Sequence, residues 1–155
     1  MSKHLLPLLE SAIRLAANAH MGGFDKAGVP YILHPLRVME KMEAIAEKIV
    51  AVLHDSVEDT TVTFELLENE GYPKEIIDGI RAMTKIVYAD GTKEPYEDFM
   101  QRCKANPIAR KVKIRDMEDN SQLFRMQKLE DKHLKMIAKY HRGMQILQFD
   151  DVYIP

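Results

Sequence analysis

The chain has no tryptophan and a single cysteine, Cys103, so no intrachain disulfide can form and a reducing compartment suits it. It lacks any apolar run long enough to span a bilayer, and the opening MSKHLLPLLES has no signal-type apolar core. Charge of neither sign dominates: 22 Lys and Arg stand against 24 Asp and Glu, for a formal net charge of -2. This balance gives no broad attraction to nucleic acid or an anionic membrane, although a local basic pocket for a small phosphate ligand is compatible with it. A cytoplasmic protein without nucleic-acid or membrane partners is expected, its oligomeric state left open. There is no repeat, linker or low-complexity run, and 155 residues fit one domain with one core.

Sustained alternation of the strand kind is also missing, and helical periodicity takes its place. Leu5, Leu9, Ile13 and Ala16 share one face of a helix over about 5–20. Gly22, Gly23, Gly28 and Pro30 mark a loop, and a short helix is expected from Pro35, a residue suited to a first helical position. Ala44 to Glu58 reads as one buried helix with Ile45, Ile49, Val52 and Leu53 inward. Thr63 is placed to cap the next helix and Gly71 to stop it. Pro73 opens a helix over 74–83, and YADGTKE (88–94) reads as a loop around Asp90-Gly91. Three further helices are expected over about 96–104, 107–121 and 132–148. The sum is an all-α, single-domain helical bundle.

Against this background four residues stand out: His34, His54, Asp55 and Asp116. Imidazole and carboxylate offer nitrogen and oxygen donors to a divalent transition metal. On a continuous helix the adjacent His54 and Asp55 diverge by about 100°, so an ion gripped by both must sit at the helix edge. Blander readings exist for each: a His-Asp pair as a hydrogen-bonded feature, His34 as a helix-start residue, Asp116 as part of a solvated charged face. The next residues favour the metal. Glu58 and Asp59 follow His54 and Asp55 by four positions and lie over the same face. Carboxylates crowded behind the apolar IVAVL repel one another and lose hydration, and a bound cation relieves both costs.

With these residues in view, the chain closely resembles the HD superfamily, and within it the hydrolase domain of the RelA/SpoT family and its single-domain small alarmone hydrolases. The resemblance rests on AANAHMGG (16–23), DKAGVPYILHP (25–35), AVLHDSVEDT (51–60), PYEDFMQRCKANPIARKVKIRDMEDN (95–120) and KYHRGMQIL (139–147). It implies an HD-type helical domain with one manganese ion held by His34, His54, Asp55 and Asp116. It also implies release of the 3′-pyrophosphate of ppGpp or pppGpp, with Glu58 and Asp59 as the catalytic acidic pair. Lys26, Asn120 and Tyr140 match nucleotide-contacting positions. The chain departs from the family at Asp25, where an arginine that helps hold the base is common. A carboxylate has no guanidinium donor fork, so weaker selection for the guanine alarmone is expected there.

The chemistry expected of such a site is metal-assisted hydrolysis, with Glu58 or Asp59 orienting or deprotonating water and Lys26 offsetting phosphoryl charge. The alternatives are an HD nucleotidase or phosphohydrolase acting on another phosphorylated metabolite, and a nucleotide-sensing module without catalysis. Retention of all four ligand types with Glu58 and Asp59 argues against the second. His20 is expected to cap its helix or make a structural hydrogen bond, His133 and His141 to be solvated, Lys111 and Lys113 to lie on a charged face, and the methionines to fill the core.

Overall fold

The computed structural model describes residues 3–149 and, among them, contains nine α-helices and no strand. The helices are α1 (Leu6–Ala19), α2 (Leu33–Glu40), α3 (Ile45–Leu53), α4 (Ser56–Asp59), α5 (Phe64–Asn69), α6 (Lys74–Met83), α7 (Tyr96–Ala105), α8 (Pro107–Asn120) and α9 (Asp131–Gln148). Short 3-10 turns span Lys3–Leu5 and Leu123–Arg125. Isolated bridges pair Phe24 with Pro30 and Val87 with Lys93, closing the two loops that the glycines mark. No described helix is long and apolar enough to cross a membrane.

The apolar run IAEKIVAVL explains the centre of the bundle. Val50, Ala51, Val52 and Leu53 are all fully buried, so α3 is covered on every side rather than on one stripe. It packs against α1, α2, α6 and α8. Gly79 permits the approach of α6, since a Cβ there would stand 3.0 Å from Val50 Cγ2. Caps set the helix starts. Thr63 Oγ1 accepts from Leu66 N–H at 3.1 Å, and Asn106 Oδ1 accepts from Ile108 and Ala109 N–H ahead of Pro107, each such cap being worth about 1 kcal/mol. Gly71, at φ +82°, follows the end of α5 as expected.

Two boundaries differ from the sequence reading. The helix expected over 44–58 is divided at His54–Asp55 into α3 and α4, with Asp55 at φ -97° and ψ -7°, on the edge of the helical region. α2 begins at Leu33, so Pro35 is its third residue rather than its first. Its missing N–H costs nothing there, because the first turn has no intrahelical partner for that group.

The last helix is held by a close approach. Gly143 of α9 faces α7, where a Cβ would meet Tyr96 Oη and Met100 Sδ at 2.3 and 3.1 Å. A methyl there would have to displace the Tyr96 hydroxyl, and Tyr140 lies one turn earlier on the same helix at the mouth of the site. His133 is not solvated, contrary to expectation. It is buried, and its Nδ1 accepts from the Glu130 N–H at 2.9 Å, so it caps its own helix.

Candidate metal centre and active site

Three segments deliver the four expected ligands: the start of α2 brings His34, the α3–α4 break brings His54 and Asp55, and the last turns of α8 bring Asp116. His54 Nε2 lies 2.9 Å from Asp55 Oδ2 and 3.5 Å from Asp116 Oδ1. His34 Nε2 lies 3.1 Å from Asp116 Oδ1 and 3.6 Å from Asp55 Oδ2. Such separations suit four donors around one ion with bonds of about 2.0–2.2 Å. His34, His54 and Asp116 are buried, and their donor atoms converge as a group able to hold a metal.

The outer ring nitrogens decide what the inner ones can do. His34 Nδ1 donates to Asp119 Oδ2 at 2.8 Å, and His54 Nδ1 donates to the Ala51 carbonyl at 2.7 Å. With Nδ1 carrying the hydrogen, each neutral ring turns an Nε2 lone pair inward. Neither Nε2 has a hydrogen-bond partner, although both are buried. Lone pairs facing carboxylate oxygens repel, and a buried unpaired acceptor is costly. A divalent cation answers both, so the donor set fits the ion that the sequence motifs imply. Burial works against charge on His54, but Asp55 and Asp116 outweigh it and raise its pKa well above the ordinary value. Protons therefore compete with a cation for this site.

Several supporting residues went unassigned in the sequence. Tyr31 Oη donates to Asp55 Oδ2 at 2.5 Å. Arg37 grips Asp119 through Nε and Nη2, both at 2.8 Å. Burial raises the Asp119 pKa, but His34 and Arg37 outweigh it and hold the carboxyl well below the usual range. Spacing carried a signal: Arg37 follows His34, and Asp119 follows Asp116, by one helical turn. Lys113 is largely buried and pairs with Asp116 at 2.8 Å, so it belongs to the site and not to a solvated face. Lys111 does stay at the surface, paired with Glu47. His20 is buried at the C-cap of α1 against the Tyr31 ring, and its Nε2 has no hydrogen-bond partner among the described residues, so of the expected roles it takes the cap and not the hydrogen bond.

One cavity of about 450 Å³ gathers eight of the nine residues singled out in the sequence, with His54 buried behind it. Asn120 Nδ2 donates to Asp116 Oδ1 at 2.7 Å. Lys26 Nζ sits 2.8 Å from Met136 Sδ, across the mouth, and Tyr140 is half-buried beside it. Glu58 and Asp59 differ. Glu58 accepts from Lys85 Nζ at 3.0 Å and from its backbone N–H at 3.1 Å. Asp59 is pushed up by burial, Asp55 and Glu58, the state of a carboxylate ready to take a proton.

Asp25 is neither free nor pointed at solvent. Its Oδ1 accepts from Ala27 and Val29 N–H at 2.8 and 3.2 Å, stabilising the tight turn in which Gly28 takes φ +78°. Its Oδ2 accepts from Arg125 Nη1 at 3.0 Å, and Arg125 lines the cavity. A guanidinium thus stands at this rim, supplied by another segment.

No family model matches the chain. It is 29% identical over 118 residues to a guanosine-3′,5′-bis(diphosphate) 3′-pyrophosphohydrolase of Aquifex aeolicus, covering 72% of this chain and 17% of that protein. It is 34% identical over 91 residues to the protein of the same name from Haemophilus influenzae, covering 55% and 13%. A putative chloroplastic GTP diphosphokinase of Oryza sativa is 44% identical over 70 residues, covering 42% and 8%. The chain therefore spans less than a fifth of the length of these relatives. A solved structure described as a metazoan ortholog of SpoT that hydrolyzes ppGpp superposes with a TM-score of 0.74 at 18% identity, covering 90% of this chain and 85% of that one.

Proposed function

We propose, from the premise that this chain is a RelA/SpoT homologue with the all-helical HD hydrolase fold, that it is a metal-dependent pyrophosphohydrolase acting on (p)ppGpp-like nucleotides. The observation that carries the reading is the pair of buried, unpartnered Nε2 atoms of His34 and His54, aimed at Asp55 and Asp116. These four residues are the proposed ligands, and manganese is the proposed ion, since mixed imidazole and carboxylate donors suit a first-row divalent metal.

Held by His34, His54, Asp55 and Asp116, a divalent cation would supply Lewis-acid chemistry toward phosphoryl oxygen and would make water more acidic. The chain's own residues do the rest. Asp59 takes the proton of the attacking water, for which its raised pKa fits it. Glu58, held by Lys85, keeps that lysine at the cavity wall beside Asp59. Water adds to the phosphorus next to the ribose as the P–O3′ bond breaks, the proton held by Asp59 passes to the departing 3′-oxygen, and Lys26, Lys85 and Lys113 offset the negative charge of the pyrophosphoryl group. Asn120 spends one amide hydrogen on Asp116 and keeps a second donor and an acceptor for a sugar or phosphate oxygen. Tyr140 offers its ring to the ribose or base.

A manganese-supplemented assay with product identification tests the reading. Conversion of ppGpp to GDP and pyrophosphate, abolished by chelation, is expected. Turnover of a different phosphorylated nucleotide in preference to ppGpp moves the protein to the alternative HD nucleotidase reading. No metal-dependent release from any nucleotide refutes both.

A further inference from the structure

Behind His34 a chain of charges runs from the metal floor to the surface. Asp119 is buried, and its carboxylate is already satisfied: Oδ1 accepts from Arg37 Nε, and Oδ2 accepts from Arg37 Nη2 and His34 Nδ1, all at 2.8 Å. A second guanidinium nevertheless approaches it. Arg125 Nη2 lies 3.7 Å from Asp119 Oδ2 and donates to the Asp119 carbonyl at 3.4 Å. Arg125 Nη1 donates to Asp25 Oδ2 at 3.0 Å. Asp25 is itself anchored in its loop, where Oδ1 accepts from Ala27 and Val29 N–H. Arg125 is thus held between two carboxylates, one buried behind a proposed metal ligand and one in the loop at the cavity mouth.

An exposed Arg–Asp pair ordinarily does little more than close a loop. Three observations give this pair a further consequence. Asp119 is only 3% exposed, so a cation beside it is poorly screened. Arg37, with two hydrogen bonds, already fixes where Asp119 stands, so Arg125 alters the charge balance there instead. The same oxygen, Oδ2, faces both Arg125 and His34. A carboxylate shared among fewer cations accepts more strongly from an imidazole N–H and makes the opposite ring nitrogen a better metal donor.

We infer that Arg125 and Asp25 are positioning residues that set the metal affinity of the site: Arg125 draws on Asp119 and weakens His34 as a ligand, and Asp25 restrains Arg125 from doing so more strongly. The inference rests on the metal half of the phosphohydrolase reading and adds a control that the four ligands do not contain. Through this relay a change in the Asp25 loop is felt at the ion.

Manganese titration by calorimetry, with no nucleotide present, reads the effect. Arg125→Gln should bind manganese about three- to tenfold more tightly than the wild type, a smaller change than the 10–100-fold typical when a group that orients a ligand is itself removed. Damage to the fold does not produce such a gain. Asp25→Asn should bind about threefold more weakly, the scale of a partly exposed ion pair. That loss should vanish in Asp25→Asn/Arg125→Gln, which should match Arg125→Gln. Asp119→Asn supplies a second cycle: when Arg125 acts through Asp119, adding Arg125→Gln to this variant changes nothing. A gain that persists in the Asp119→Asn background makes Arg125 a distant positive charge and overturns the relay. Weaker binding by Arg125→Gln overturns it as well. A wild type that takes up no manganese sinks the metal reading and the relay together, whereas uptake that Arg125→Gln leaves unchanged sinks the relay alone.

Discussion

The floor of the site and its rim are built on opposite principles. At the floor, every donor is fixed by a neighbour: His34 by Asp119, His54 by the Ala51 carbonyl, Asp55 by Tyr31, Asp116 by Lys113 and Asn120. At the rim, Lys26 meets a thioether, and exposed lysines carry the charge. The contrast teaches where each function resides. A metal needs ligands placed to within fractions of an ångström, which buried hydrogen-bonded side chains provide. A polyanion needs positive potential spread over a concave surface, which exposed lysines provide. Changes at the floor should therefore alter metal retention and kcat, and changes at the rim KM and substrate choice.

The sharpest contrast lies between two neighbours. Asp59→Asn should lower kcat by about 10²–10⁴-fold, the usual cost of a lost general base, with metal content preserved. Glu58→Gln should cost less, since its carboxylate already belongs to Lys85. Rate measurements that rank the two the other way would exchange their roles.

Asp119 tests whether fixing a ligand from behind matters. Asp119→Asn should weaken metal affinity about 10–100-fold, a typical loss for a residue that orients a ligand. It should also change the response to acid. The folded-state pKa of Asp119 is depressed, so its contribution is complete above the unfolded value of about 3.9 and fades as pH falls below it. Thermal melts of metal-free protein between about pH 6 and 3 should therefore lose more stability in the wild type than in Asp119→Asn. Parallel curves would remove Asp119 from this role.

Gly143→Ala bears on stability. The new methyl meets Tyr96 and Met100, and overpacking of this kind costs about 1–3 kcal/mol, which a denaturant titration should reveal. An unchanged midpoint would show that α7 and α9 slide apart freely.

The smallest effect belongs to the rim. Asp25 anchors both its turn and Arg125, so Asp25→Asn should raise KM a few-fold and leave kcat nearly intact, each lost charge-assisted bond at an exposed position being worth about 1 kcal/mol or less. Asp25→Arg should be worse than Asp25→Asn, because it opposes Arg125. An improvement in ppGpp use by Asp25→Arg would restore the simple reading that the acid is only a missing base contact.

Much of this was legible in the sequence. Periodicity marked the helices, and Thr63, Gly71 and Pro107 marked their ends. The ligand types and their spacing marked the floor: His34, Asp55 and Asp116 reach one cavity with Glu58, Asp59, Lys26, Asn120 and Tyr140, and His54 lies directly behind. The break at Asp55 was not legible, because HDSVED carries no Gly or Pro to stop a helix, and it shows only as the boundary between α3 and α4. Tyr31, Arg37, Lys85 and Arg125 were missed for another reason. Their partners lie 24, 82, 27 and 100 residues away, so packing defines the pairs, and of the four Arg37 alone, one turn after His34, carried a local spacing signal. His133 was misjudged because a lysine-rich helix reads as solvated, whereas its imidazole folds back on the Glu130 backbone.

The central claim is that His34, His54, Asp55 and Asp116 hold one divalent cation. Its most direct test is elemental analysis and manganese titration of the wild type beside His54→Ala. One ion per chain in the wild type, and loss of that ion in a variant that remains folded by circular dichroism, is the predicted result. Full stoichiometric occupancy of the same site in His54→Ala, or a wild type that takes up no divalent metal at all, would contradict it.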